Sequence, residues 1–141
     1  MKMFALLNLP FFRRYLELGL NADMGIRKDD FRIIFNSIAK NVIGRQIAWT
    51  FLTKHWNDIF SFSKRKRGIL LRQVTLSFNT HRDITQLKHF LQDRNTDLAE
   101  VRRTAEQVEE RTKNNIMWME ANFLEIVEFL EHHGYASPEP L

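Results

Sequence analysis

The chain has 141 residues, and 44% of them are apolar, including twelve Phe and three Trp, which is enough to fill the core of one domain. Five Gly and three Pro are few for a turn-rich β protein, so the composition favours helices. The formal net charge of +4 is weak evidence for nucleic-acid binding, and the absence of Cys excludes a disulfide framework, a thiolate nucleophile and a cysteine-based zinc site.

The apolar residues recur every three or four positions, a spacing that predicts six helices. The first three are predicted to span residues 10–20, 28–40 and 44–60. Pro10 would then lie in the first turn of the first helix, where its missing N–H costs little. Trp49 and Trp56 are seven residues apart, so they lie on one stripe of the third helix.

Four consecutive basic residues, Lys64–Arg67, interrupt this pattern and predict an exposed loop with solvated charges. The remaining helices are predicted to span residues 68–78, 84–92 and about 98–133. The last one is the most regular, because one apolar stripe runs through it: Val101, Ala105, Val108, Thr112, Ile116, Met119, Phe123, Ile126 and Leu130.

The short links between these amphipathic helices predict an all-α domain over residues 1–134, built from stacked antiparallel helical hairpins. Three aromatic anchors, Trp49, Trp56 and Trp118, are predicted to be largely buried in its core. Residues 135–141 contain two Pro and no periodicity, which predicts a disordered tail.

The beginning of the chain carries a short apolar run that superficially resembles a signal peptide. The run is broken by Asn8 and Pro10, is followed at once by Arg13 and Arg14, and lacks a small-residue cleavage site, so we reject that interpretation. No stretch approaches the roughly 20 apolar residues of a membrane span.

No catalytic motif is present in the sequence. Zinc hydrolysis needs H-E-x-x-H, whereas no two of the five histidines are four residues apart: His55, His81, His89, His132 and His133. A G-x-S-x-G elbow and a glycine-rich phosphate loop are also missing. We therefore predict no catalytic residue, no metal ligand and no cofactor in this chain, and no nucleic-acid partner.

One segment carries a moderately specific pattern, N-x-x-G-x-x-x-A-W-x-F-x-x-x-x-W, with Asn41, Gly44, Trp49 and Trp56 at its fixed positions. Three further segments accompany it in the chain: R-Y-L-E-x-x-L-N at 14–21, V-T-x-x-F-N at 74–79, and T-K-x-N-I-x-W at 112–118, which contains Asn115 and Trp118. Together and in this order, the four segments resemble the C-terminal helical domain of the aminopeptidase N type zinc metallopeptidase family.

This resemblance implies a bowl of paired helices related to HEAT and armadillo repeats, of which residues 1–134 would be the last part. It implies a noncatalytic domain that packs on a zinc-bearing catalytic domain and shapes the cavity for peptides, whose N-terminal amino acids the parent enzyme removes. The implied partners are that catalytic domain and peptides, and a homodimer remains open. An extracellular, plasma-membrane-anchored or endoplasmic-reticulum location is implied, and exposed apolar surface is expected near Met1.

The resemblance also singles out Arg72, which aligns with a position that can face the enclosed cavity in this family. A guanidinium there could hold a peptide carboxylate, whereas the alternative is an ordinary solvated or ion-paired arginine. Two other functions remain open: a free-standing helical interaction module, and a truncated, catalytically inactive paralogue.

Overall fold

The computed structural model describes residues 2–21, 26–62, 66–93 and 98–135. Within these ranges every regular element is a helix, so the all-α prediction is confirmed. The helices are α1 (Lys2–Leu20), α2 (Lys28–Lys40), α3 (Gly44–Lys54), α4 (Trp56–Phe62), α5 (Lys66–Val74), α6 (His81–Gln92) and α7 (Arg102–His132). Apart from Tyr135, the predicted tail lies outside the described residues.

The first helix begins earlier than the predicted start at Pro10. Pro10 lies inside α1, not in its first turn, and the helix extends back to Lys2. An internal proline removes one backbone hydrogen bond. The preceding residues, however, are mostly Met, Ala and Leu, which are good helix formers, and they contain no Gly.

The predicted third helix is divided in two at His55, which has φ −104° and ψ 22°. Thr53 donates its hydroxyl to the carbonyls of Trp49 and Thr50, a competition that often bends helices. The His55 ring contacts the carboxylate of Asp58 at 2.9 Å in the first turn of α4. The apolar stripe continues across this break, so periodicity alone predicted one helix.

The boundaries around the next turn also differ from the prediction. The helix α5 ends at Val74 and not at Phe78, and the Thr75 hydroxyl donates back to the carbonyl of Leu71 at 2.7 Å. The helix α6 begins at His81 because Thr80 and Asp83 form a reciprocal capping box.

The core lies where α2, α3 and α5 meet, and α7 closes one side by packing on α5 and α6. Its fully buried members include Phe31, Phe35, Leu52, Leu71 and Leu87. Arg67 is also completely buried, so the prediction that the whole basic run is solvated is wrong at this position. None of the described helices has the length and hydropathy needed to cross a membrane.

The last helix is buried along only its first half. Its stripe is buried from Val101 through Ile116, whereas Phe123, Ile126 and Leu130 continue the same pattern with 50%, 41% and 40% exposure. Apart from the contact between His81 of α6 and Glu120 at 2.7 Å, the described part of the chain leaves the apolar stripe of this second half partly exposed. The predicted amphipathic pattern is thus present over the full length of α7, but other helices of this chain bury its apolar face over only the first half.

Candidate functional site at the α5–α7 seam

The turn before α3 explains the N-x-x-G part of the sequence pattern. The side-chain oxygen of Asn41 accepts hydrogen bonds from the backbone N–H groups of Ile43 (2.9 Å) and Gly44 (3.1 Å), two donors that a helix start leaves without partners. A Cβ atom at Gly44 would lie 2.5 Å from the carbonyl oxygen of Ile38. Asn41 and Gly44 therefore fix the chain path between α2 and α3.

The two tryptophans of this pattern pack around one ring. Trp49 and Trp56 both meet Phe90 edge-on, with centroid distances of 5.5 Å and 5.1 Å. Trp49 also meets Phe78 at 5.3 Å. Both indoles are at least 95% buried, as predicted, and they join α3 and α4 to α6.

Trp118 is 55% exposed, so the prediction that it is a buried anchor is wrong. It lies two positions after the buried Ile116, which places it about 200° around the helix and away from the buried stripe. Its exposure leaves it available to a partner of α7 rather than to the core.

Two polar residues of α7 tie that helix to the last turn of α5 and to the turn that follows it. The Asn115 amide donates to the carbonyl of Phe78 at 2.9 Å. One turn earlier, Arg111 Nη2 donates to the hydroxyl of Thr75 at 3.0 Å and to the carbonyl of Arg72 at 3.2 Å. The V-T-x-x-F and T-K-x-N-I segments of the sequence therefore meet in space.

Arg72 is exposed on this seam, and its Nη2 donates to the side-chain oxygen of Gln107 on α7 at 3.1 Å. It also lines a surface groove of about 620 Å³ between α5 and α7. We call this the α5–α7 groove; its walls include Gly68, Ile69, Arg72, Val101 and Thr104. The one predicted cavity residue is thus accessible and stands beside a space that could receive a ligand.

Arg111 is a second cation beside Arg72, and it is half-buried. Burial lowers its pKa from the usual value, and the positive charge of Arg72 lowers this pKa further. The sequence analysis missed Arg111 and Gln107. A signal for both existed, because Gln107, Arg111 and Asn115 recur every four residues along the edge of the buried stripe.

The motif residues are not all brought together. Asn41 and Gly44 act at the α2–α3 turn, Trp49 and Trp56 in the core, and only Asn115 lies near the seam that Arg72 occupies. Within the described part of the chain, no group of three or more His, Asp or Glu side chains is arranged to hold a metal ion.

Residues 9–114 match the family model described as the ERAP1-like C-terminal domain. This match covers most of the chain, which therefore belongs to that family. The resemblance to the C-terminal domain of aminopeptidase N type enzymes, inferred from four sequence segments, is confirmed.

Curated relatives agree with this assignment. The chain is 36% identical to aminopeptidase N of Bos taurus over 129 residues, which cover 86% of this chain and 13% of that protein. It is 38% identical to aminopeptidase N of Oryctolagus cuniculus over 116 residues, which cover 77% of this chain and 12% of that protein. Aminopeptidase Ey of Gallus gallus is 37% identical to it over 118 residues, which cover 78% of this chain and 12% of that protein. The chain therefore spans only 12–13% of the length of these relatives.

Proposed function

We propose that this chain is the noncatalytic C-terminal helical domain of a zinc aminopeptidase, and that it packs on the catalytic domain and shapes the cavity for peptides. The observation that carries the proposal is the uncovered second half of α7. Its apolar stripe continues the buried stripe without interruption, yet Phe123, Ile126 and Leu130 are each at least 40% exposed. An apolar helix face that extends beyond the helices packed against it can bind another part of a larger protein.

The same half of α7 exposes seven large apolar side chains: Met117, Trp118, Phe123, Leu124, Ile126, Phe129 and Leu130. The relatives are many times longer than this chain, so the occupant proposed for this surface is the remainder of an aminopeptidase. In helical-repeat proteins each unit buries its apolar face on the next unit. This fits the proposal that the helices belong to a HEAT- or armadillo-like bowl of antiparallel hairpins.

Arg72 is the residue proposed to face the peptide cavity. It is exposed, it borders the α5–α7 groove, and its described hydrogen bond is to a neutral amide oxygen of Gln107. A guanidinium in this situation can exchange the amide for a peptide carboxylate, which forms a stronger, charge-assisted bond. In the parent enzyme this would favour acidic or longer peptides.

The zinc ion belongs, in this proposal, to the catalytic domain of the parent enzyme. The donor set of the described residues does not fit a zinc site, because no three potential ligands converge. We therefore assign no step of the hydrolysis to this chain, and its role is to bind and position.

Reconstitution tests the proposal. The 141-residue chain would be added to an aminopeptidase N lacking the segment that this chain matches, and sedimentation and peptide hydrolysis would be measured. We expect a complex and a change in the preference for peptide length. A stable monomer that does not associate and leaves hydrolysis unchanged would overturn the proposal and favour a free-standing interaction module or an inactive paralogue.

A further inference from the structure

The second half of α7 exposes large apolar side chains on three sides, and not only along the stripe that continues the core. At about 100° of rotation per residue, Trp118 and Phe129 align in a ridge roughly 110° to one side of Leu130 on the stripe. Met117 and Leu124 align in a second ridge, roughly 130° to the other side. We call these two the Trp118 ridge and the Leu124 ridge.

The two ridges are more exposed than the stripe between them. Trp118 and Phe129 are 55% and 58% exposed, and Met117 and Leu124 are 65% and 71% exposed, whereas the large apolar residues of the stripe in this segment are 40–50% exposed. A surface helix keeps its apolar residues on one side, and a helix that is apolar around its circumference is normally buried. The ridges therefore indicate a segment that is covered from several directions.

A narrow polar strip separates the two ridges on the side opposite the core. Ala121, Glu125 and Glu128 lie on this strip, and all three are exposed. The segment 117–131 contains four Glu and neither Lys nor Arg, although the whole chain has a net charge of +4. A partner that covers the ridges therefore needs apolar walls with neutral or basic edges, because acidic edges would be repelled.

We propose that the second half of α7 is inserted into an apolar cleft of a longer protein. The Trp118 ridge and the Leu124 ridge contact opposite walls of the cleft, the stripe contacts its floor, and the polar strip stays in water. This inference rests on the proposed function and goes beyond it, since contact on the stripe alone would satisfy that function.

The occupant of the three faces is the remainder of the protein to which this chain belongs. The chain spans only 12–13% of the length of its relatives, so most of such a protein lies outside it. A lipid surface covers one side of an interfacial helix and would leave one ridge in water. A single packed helix likewise fills only one side, so three apolar sides require a cleft.

Thiol labelling tests the insertion directly, because the chain contains no Cys. The variants Phe129→Cys, Leu124→Cys and Ala121→Cys would be treated with a maleimide, both free and in complex with an aminopeptidase N lacking the segment that this chain matches. Mass spectrometry of the 141-residue chain measures the labelling rate. All three positions are exposed, so all three variants should react readily when free.

In the complex, the two ridge variants and the strip variant should separate. We expect Phe129→Cys and Leu124→Cys to react roughly tenfold or more slowly than in the free chain, because labelling requires access to the thiolate. Ala121→Cys should react at the same rate in both states, since the polar strip stays in water.

Charge substitutions at the same positions measure the contacts as affinities. Phe129→Asp and Leu124→Asp should each weaken the complex by roughly tenfold or more, because a carboxylate must be desolvated against either wall. Ala121→Asp adds the same charge on the polar strip and is the matched control, so its complex should keep the parent affinity. Circular dichroism checks that each free variant stays helical.

Protection of only one ridge, protection of neither, or equal weakening by Ala121→Asp would overturn the insertion. If both ridges stay reactive while Ile126→Asp still weakens the complex, the proposed function stands and α7 lies on one flat surface. Self-association of the free chain that protects both ridges, measured by sedimentation, would assign the faces to a second copy instead. A parent chain that forms no complex would overturn both the insertion and the proposed function.

Discussion

The guanidinium carbon of Arg67 lies over the indole of Trp56, 4.8 Å from the ring centroid, and both side chains are buried. A desolvated cation over an indole face is attracted by the ring quadrupole, which contributes about 2 kcal/mol in favourable cases. The long stem of Arg67 also fills space between α4 and α5, which are in contact. One residue of a basic run thus serves as a packing element.

Arg67→Ala should lower the free energy of unfolding by about 3 kcal/mol, because both the cation–π contact and the packed volume are lost. Urea denaturation followed by circular dichroism measures this change. The exposed Arg103 is the control, and Arg103→Ala should stay within about 0.5 kcal/mol of the parent chain. Equal stabilities of the two variants would contradict the packing role of Arg67.

The burial of Arg67 could not be predicted from the chain, because nothing local distinguishes it from the three basic residues before it. Its environment is decided by Trp56, eleven positions earlier, and by how α4 meets α5. The helices themselves were predictable, since most packing faces follow the three-or-four spacing. The break at His55 was not, because the apolar stripe crosses it.

At the candidate site, the family resemblance identified Arg72, and the structure adds its partners Gln107 and Arg111. Their meeting depends on which turn of α7 lies beside α5, a tertiary relationship that periodicity does not encode. Trp118 was a different kind of error: its spacing from Ile116 already placed it on the other side of α7.

Trp49 and Trp118 should differ sharply in their contribution to stability. Trp49 is 5% exposed and packs on two rings, so Trp49→Ala should cost about 3–5 kcal/mol. Trp118 is 55% exposed, so Trp118→Ala should cost less than about 1 kcal/mol. Iodide quenching of tryptophan fluorescence provides an independent check. The fraction of the fluorescence that iodide can quench should be much smaller in Trp118→Phe than in the parent chain, because Trp118 is the exposed tryptophan. A large loss of stability in Trp118→Ala would mean that α7 packs differently.

The α2–α3 turn should be sensitive to single-atom changes. Gly44→Ala should destabilise the chain by roughly 1–3 kcal/mol, because the added Cβ meets the backbone oxygen of Ile38, which cannot rotate away. Asn41→Ala should cost about 1 kcal/mol through the loss of its two hydrogen bonds to the helix start. Asn57, exposed on α4, gives the control: Asn57→Ala should be neutral or slightly stabilising.

If the proposed function holds, Arg72→Ala in an aminopeptidase that contains this chain should weaken the use of acidic or longer peptides by roughly 1–3 kcal/mol in kcat/KM. Neutral dipeptide-like substrates should change little, because they would not reach the α5–α7 seam with a carboxylate. Arg103→Ala again serves as the comparison, since it removes an exposed arginine of α7 without an assigned contact. Equal losses for charged and neutral substrates would indicate damaged packing, and no loss for any substrate would make Arg72 an ordinary surface residue.

The two halves of α7 permit a matched pair of substitutions on one stripe. Ile116 is 6% exposed and Ile126 is 41% exposed, ten positions apart. Ile116→Asp should unfold the chain, because it places an unpaired carboxylate in the core, where such a charge costs several kcal/mol. Ile126→Asp should leave the helical content and the urea midpoint nearly unchanged, because its carboxylate remains hydrated.

Association is the property that Ile126→Asp should alter. If the second half of α7 packs on the remainder of an aminopeptidase, the aspartate must be desolvated there, and the complex with the truncated enzyme should weaken by roughly tenfold or more. Ile33, 57% exposed on α2, provides the control substitution Ile33→Asp, which should leave the complex intact. Similar weakening by both variants would point to a general effect of added negative charge. An unchanged complex with Ile126→Asp would remove α7 from the proposed interface.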